Sequence, residues 1–159
     1  MKVRQLMTTD VAMCVADDSA SQAARLMWER DCGFVPVVES RQDPCVVGVV
    51  TDRDVCMAAY TKNRPLDQIR LRELMSTALH TCRAGENVAA ADDIMRRAQV
   101  RRLPVVDDAG RLVGVVSLAD IAREAARRGG ARRSGVSLSD VGKTVAVIDR
   151  PRDGGSPAS

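Results

Sequence analysis

Sliding the chain along itself by 68 residues sets "LMTTDVAMCVADDSASQAARLM" (Leu6 to Met27) over "LMSTALHTCRAGENVAAADDIM" (Leu74 to Met95). A Leu-Met pair, a Cys and a Met fall in step, and "FVPVVE" (Phe34 to Glu39) lands on "RLPVVD" (Arg102 to Asp107) with Pro36 over Pro104. The next turn is two residues longer in the first copy, so "VVGVVTDRD" (Val46 to Asp54) matches "LVGVVSLAD" (Leu112 to Asp120) at an offset of 66, Gly48 over Gly114. One supersecondary unit is therefore written twice. A unit of about 55 residues is marginal by itself, so the two copies must cover each other's apolar faces, related by a pseudo-twofold axis.

Within each copy the hydrophobic pattern changes period in the same order. A possible strand, "VAMCV" or "ALHTC", precedes a polar turn holding Ser19 or Asn87; Ser19 with Gln22 has capping-box spacing. Ala20, Ala23, Ala24 and Met27, like Val88, Ala91, Ile94 and Met95, recur at helical spacing and predict one buried stripe. "FVPVV" and "CVVGVV", and likewise "RLPVV" and "LVGVV", are β-branched runs joined by polar turns and predict paired strands. "TDRDVCMAAY" and "SLADIAREAARR" close the units as helices. The fold class is α/β (α+β), β-α-β-β-α twice. The expected organisation is repeat 1 over 1–60, a linker over 61–72, repeat 2 over 73–128 and a basic tail over 129–159.

Only Trp28, Phe34 and Tyr60 are aromatic, so Val, Leu, Ile, Met and Ala must fill the core, and few flat platforms exist for stacking nucleic-acid bases. Met7, Met27, Met75 and Met95 are expected as core fillers, and Cys14 and Cys82, at equivalent positions, as small buried residues. Five scattered cysteines without a C-x-x-C pair, and one histidine, argue against a disulfide framework or a zinc site and for a reducing cytoplasm. No stretch approaches the ~18 apolar residues of a membrane span. The net charge of +3 favours anionic ligands without choosing among them.

The repeated phrase carries two chemistries. Thr51-x-x-Asp54 and Ser117-x-x-Asp120 stand where a buried strand passes into a helix, and that spacing is a capping box. The same place, with free amides and a hydroxyl, is ready to receive a phosphate, and a carboxylate one turn in can accept two sugar hydroxyls. Gly48 and Gly114 leave room in the preceding strands for another backbone or a ligand. Local sequence leaves both accounts open.

The doubled series Leu-Met-[ST], Met-containing helix, [VL]-P-V-V-[ED] and G-V-V-[TS]-x-x-D resembles a tandem pair of CBS domains, a Bateman module, over Val3 to Arg128. That resemblance implies a stand-alone regulatory module binding AMP, ADP, ATP or S-adenosylmethionine in clefts between repeats, with no required cofactor. It places the ribose on Asp120 with Ser117, and on Asp54 with Thr51. It draws base contacts from the opposite repeat: Ala12, Met13 and Cys32 for the Asp120 cleft, and His80, Thr81 and Val100 for the Asp54 cleft. Arg101 and Arg102 stand where phosphate contacts are common in the family, whereas repeat 1 has Gly33 and Phe34 there, so the Asp120 cleft ranks first and Arg53 is the nearest cation for the other. Arg101 and Arg102 as solvated strand-end charges, and His80 as a surface residue, are the plainer alternatives.

The family also implies a homodimer through Val55 to Tyr60 and Ile121 to Arg127, where Val55, Met57, Ala58, Ile121, Ala122 and Ala125 are expected to be exposed, and an unknown downstream protein. In the tail, Gly142-Lys143-Thr144 is not a phosphate loop, because Gly135 stands six residues before Gly142 where four are required and no strand leads in. Val141, Val145 and Ile148 predict instead an apolar face that docks, and the end is expected to be disordered. No catalytic constellation can be assembled from these residues, so an enzyme is not expected. Nucleic-acid binding by the arginine-rich surface and tail, and a ligand-free structural dimer, are the alternatives.

Overall fold

The computed structural model describes residues 1–127 and 135–150; the basic joint with Arg128, Arg132 and Arg133, and the end expected to be disordered, lie outside the described residues. The β-α-β-β-α order occurs twice, as expected. Repeat 1 comprises β1 (Cys14–Val15), α1 (Ala20–Glu29), β2 (Phe34–Val38), β3 (Val46–Thr51) and α2 (Asp52–Lys62). Repeat 2 comprises β4 (Cys82–Arg83), α3 (Val88–Ala98), β5 (Arg102–Val106), β6 (Leu112–Ser117) and α4 (Leu118–Arg127), and α5 (Leu138–Ile148) follows. Each sheet has three strands, the first pair parallel and the second antiparallel, in identical registers: Cys14 lies opposite Val37 as Cys82 lies opposite Val105.

The opening strands are two residues long rather than five; ahead of β1, Val11 and Ala12 line a cleft instead of continuing the sheet. α1 buries Ala20, Ala23 and Met27, and α3 buries Val88, Ala91 and Met95. Ser19 caps α1 by accepting from Gln22 N at 3.1 Å. Burial pushes the Cys14 thiol up to about 11 and the Cys82 thiol up to about 12, as befits core residues.

The repeats are joined by exchange. Val3 is fully buried in the core of repeat 2, against Val88 and Met95, while its counterpart 68 residues on, Leu71, is fully buried in the core of repeat 1 with Ile69. Val3 N donates to Glu86 O at 2.9 Å, and Leu71 N donates to Asp18 O at 2.9 Å. Further along the same straps, Thr8 exchanges both backbone bonds with Val115, and Ser76 with Val49. Segment 61–72 thus does more than connect: Thr61 and Lys62 finish α2, and Ile69 and Leu71 supply core.

The glycines of the repeated phrase sit under these straps, so another backbone, not a ligand, uses the room they leave. A Cβ on Gly114 would stand 2.8 Å from both Thr8 O and Met7 Sδ; one on Gly48 would stand 2.8 Å from Met75 Sδ and 3.2 Å from Ser76 O.

α5 docks on α3 and α4. Its inward residues are Val141 and Thr144, with Ile148 packed on the core, whereas Val145 is 41% exposed; the spacing 141, 144, 148 places Thr144 where the sequence pattern puts Val145. Gly142 to Thr144 lie inside this helix, capped by Ser137 and Asp140. Thr144 Oγ1 donates to Asp92 Oδ2 at 3.0 Å, Gln99 Nε2 to Val147 O at 3.1 Å, and Arg101 pairs with Asp149. Four of the six residues expected to be exposed for dimerisation, Val55, Ala58, Ile121 and Ala125, are buried inside the chain, because the inner sides of α2 and α4 pack on their own repeats.

Two outcomes test this packing. Gly114→Ala forces a methyl against a carbonyl oxygen that cannot swing away, so urea unfolding should show a loss of about 1–3 kcal/mol. Gly48→Ala should lose less, because flexible Met75 makes its closest contact. The second concerns Asp92, 5% exposed, whose Oδ1 has no hydrogen-bond partner and whose carboxyl is held above its ordinary value by burial, with Thr144 and Arg96 opposing and Asp93 and Asp140 adding to the shift. A raised folded-state value makes the protonated carboxyl the favoured form in the fold, so its contribution is full below the unfolded value of 3.8 and is lost as pH rises through the folded value. Asp92→Asn, which keeps an acceptor for Thr144, should flatten that decline in unfolding curves taken from pH 4 upward and raise stability at pH 7.

Candidate functional site

At the head of α4, Asp120 Oδ2 accepts from Ser117 N at 2.9 Å and from Ser117 Oγ at 2.6 Å, while Asp120 N donates to Ser117 Oγ at 3.1 Å. Thr51 and Asp54 repeat the arrangement at the head of α2, with distances of 2.8, 2.8 and 3.2 Å. The cap is therefore real in both repeats, but it occupies only one oxygen of each acid. An ionised carboxylate has about four acceptor positions, so capping and sugar binding are compatible uses of one side chain. The second oxygen distinguishes the repeats: Asp120 Oδ1 pairs with Arg123, whereas the position equivalent to Arg123 is Met57.

Beside Asp120 lies a cleft of about 340 Å³, within the range of small-molecule sites. Repeat 1 gives one wall, Thr8, Asp10, Val11 and Ala12 before β1, and Arg30, Asp31, Cys32 and Phe34 after α1. Repeat 2 gives the other, Arg102 on β5, Val115 and Ser117 on β6, and Ala119, Asp120 and Arg123 on α4. The strap bond between Thr8 and Val115 closes the floor. The walls carry Arg30, Arg102 and Arg123 against Asp10, Asp31 and Asp120. Arg30 is paired with Asp10 at 2.8 Å and Arg123 with Asp120, and both arginines are exposed. Exposed pairs are worth about 0–1 kcal/mol, so an anion re-pairs those cations at little cost. Arg102 has no ion-pair partner among the described residues and is available outright.

Of the residues selected from sequence, Ala12, Cys32, Arg102, Ser117 and Asp120 share this cleft. Met13 lies just past the wall, its carbonyl accepting from Arg41 at 3.5 Å. Arg101 turns away to Asp149 and anchors α5. Thr51, Arg53, Asp54, His80, Thr81 and Val100 line neither of the two principal cavities; His80 and Arg53 are exposed, and Val100 packs on the repeat 2 core. The sequence reading missed Asp10, Arg30, Phe34 and Arg123. Arg123 was within reach, since it stands three residues after Asp120 on one helix face. Arg30 and Phe34 carry no local signal; the pseudo-twofold axis brings them across from the other repeat.

The second principal cavity is a groove of about 590 Å³ between α1 and α2, lined by Ala24, Trp28, Val55 and Cys56, and it shares Asp31, Cys32 and Arg102 with the cleft. Among the described residues no group of three or more His, Cys, Asp or Glu is placed to hold a metal ion, and no helix is long and apolar enough to cross a membrane.

Two α/β units that exchange straps and share a cleft at their seam define a tandem-repeat protein with a cavity lined by both copies. The chain belongs to the CBS domain family, which matches residues 3–60 and again 71–127. It is 36% identical over 120 residues to the CBS domain-containing protein YhcV of Bacillus subtilis (strain 168), covering 76% of this chain and 82% of that one. Its fold is similar to that of CBSX2 in complex with AMP, with a TM-score of 0.69 at 25% identity over 80% of this chain and 98% of that chain. It is similar also to the CBS domain pair of protein MJ0100 in complex with 5-methylthioadenosine and S-adenosyl-L-methionine, with a TM-score of 0.72 at 23% identity over 80% and 98%, a likeness of fold.

Proposed function

We propose that this protein is a regulatory module that binds an adenosine-type nucleotide in the Asp120 cleft and passes its occupancy to a partner protein, with no catalytic step of its own. The observation that carries this reading is the cleft's composition: a carboxylate with acceptor capacity left after capping, an arginine on the neighbouring strand of the same sheet with no ion-pair partner among the described residues, and an apolar wall from the other repeat. The ribose hydroxyls go to Asp120, the phosphate to Arg102 with Ser117 nearby, and the base lies against Ala12, Cys32 and Phe34. The AMP held by the similar structure CBSX2 supports that ligand class. Asp54 with Thr51, served by Arg53, His80, Thr81 and Val100, is the second site, with fewer cations to hold a phosphate.

A ligand bridging the two walls has a different affinity for each relative placement of the repeats, and that difference is what shifts a conformational equilibrium. Because Asp31, Cys32 and Arg102 belong to both the cleft and the α1–α2 groove, a change at one is felt at the other. Five free cysteines fit a reducing, cytoplasmic setting.

Calorimetric titration with AMP, ADP, ATP and S-adenosylmethionine tests the reading. Asp120→Asn keeps a capping acceptor but removes the charge; with charged hydrogen bonds worth about 1.5–3 kcal/mol, binding should weaken roughly 10- to 100-fold. Arg102→Ala should weaken ATP more than S-adenosylmethionine, and Asp54→Asn should leave the first binding event unchanged. No heat with any of the four ligands would remove the proposal.

A further inference from the structure

In repeat 2, α5 lies over α3 and α4, held by Asp92, Gln99 and Arg101. At the equivalent positions repeat 1 has Ala24, Asp31 and Gly33, which make none of those bonds, and the twin groove between α1 and α2, about 590 Å³, stays open. That groove does not end at the edge of repeat 1. Asp31, Cys32 and Arg102 line both it and the Asp120 cleft, so the two cavities meet at the cleft arginine that has no ion-pair partner among the described residues. The cleft alone, about 340 Å³, stands near the lower end of the roughly 300–1,000 Å³ range of small-molecule sites, and the two joined stand near its upper end.

The groove's chemistry selects what can extend into it from the cleft. Ala24, Met27, Val55 and Cys56 give an apolar wall, and Trp28, 88% exposed, adds a flat aromatic platform of the kind on which a ring stacks. Asp31 and Asp52 are exposed and have no ion-pair partner among the described residues; the Asp52 carboxylate leans over Gly33, where an added Cβ would stand 2.5 Å from its Oδ2. Two uncompensated carboxylates repel any phosphate beyond Arg102 and attract a cation, and a cationic ring is also what the face of a tryptophan draws. We propose that the cleft and the groove form one bipartite site for a dinucleotide of the nicotinamide adenine class, its adenosine beside Asp120, its pyrophosphate on Arg102 and its cationic nicotinamide on Trp28 with Asp31 and Asp52 nearby. The inference rests on the Asp120 cleft being the adenosine site and adds the groove to it. Reduction of the nicotinamide removes its charge and with it the attraction to the two acids, so occupancy follows the oxidised form.

Calorimetry of the full chain with AMP, ADP-ribose, NAD⁺ and NADH, alongside fluorescence of Trp28, the chain's one tryptophan, tests it. NAD⁺ should bind about tenfold more tightly than ADP-ribose, which lacks only the nicotinamide, and about threefold more tightly than NADH. NAD⁺ should quench Trp28, whereas AMP should leave its emission unchanged. Trp28→Ala should bring NAD⁺ down to the affinity of ADP-ribose without altering that of AMP, and Asp52→Asn should narrow the gap between NAD⁺ and NADH; both positions are exposed, so melting should stay as in the wild type. AMP binding accompanied by NAD⁺ no tighter than ADP-ribose, by unquenched Trp28, or by NAD⁺ affinity indifferent to Trp28→Ala overturns this inference and leaves the adenosine cleft standing. Absence of binding by AMP and NAD⁺ alike overturns both.

Discussion

Val3 and Leu71 each complete a hydrophobic core that belongs to the other repeat. Around that exchange the straps bond Thr8 to Val115 and Ser76 to Val49. They pass so close to the strands that a Cβ at 114 would stand 2.8 Å from Thr8 O, and one at 48 would stand 3.2 Å from Ser76 O. The straps tie the sheets into one body and place residues 8 to 12 against the end of β6. Separating the repeats would expose both cores.

The seam follows from the same geometry. Strand β6 delivers Ser117 and Asp120 to a helix start, where unsatisfied amides call for acceptors; the strap and the end of α1 bring the opposite wall. Capping fixes the Asp120 carboxylate through one oxygen, so the other is held in place without further ordering. The cleft carries three arginines and three aspartates, and Arg102 has no ion-pair partner among the described residues.

Pseudo-symmetry broken by a few substitutions makes the surfaces of the two halves unlike. Asp92, Gln99 and Arg101 hold α5 on repeat 2, while Ala24, Asp31 and Gly33 leave the twin groove open. Arg123 replaces Met57 beside the capping acid, and Arg102 replaces Phe34 on the strand. One half is covered and more charged; the other is bare and more apolar.

The duplicated unit, its element order, the buried stripes of α1 and α3 and the two capping boxes were legible along the chain, because each rests on contacts between residues close in sequence or at a fixed helical or strand period. Asp120, Ser117 and Arg102, which line one cleft, were grouped through the family resemblance and not through any local period. The strap exchange, the turn of Arg101 toward Asp149, the inward face of α5 at Thr144, and the presence of Arg30 and Phe34 in the cleft were not legible along the chain. These depend on which unit packs on which, and a periodic pattern states that a face will be buried without naming what buries it.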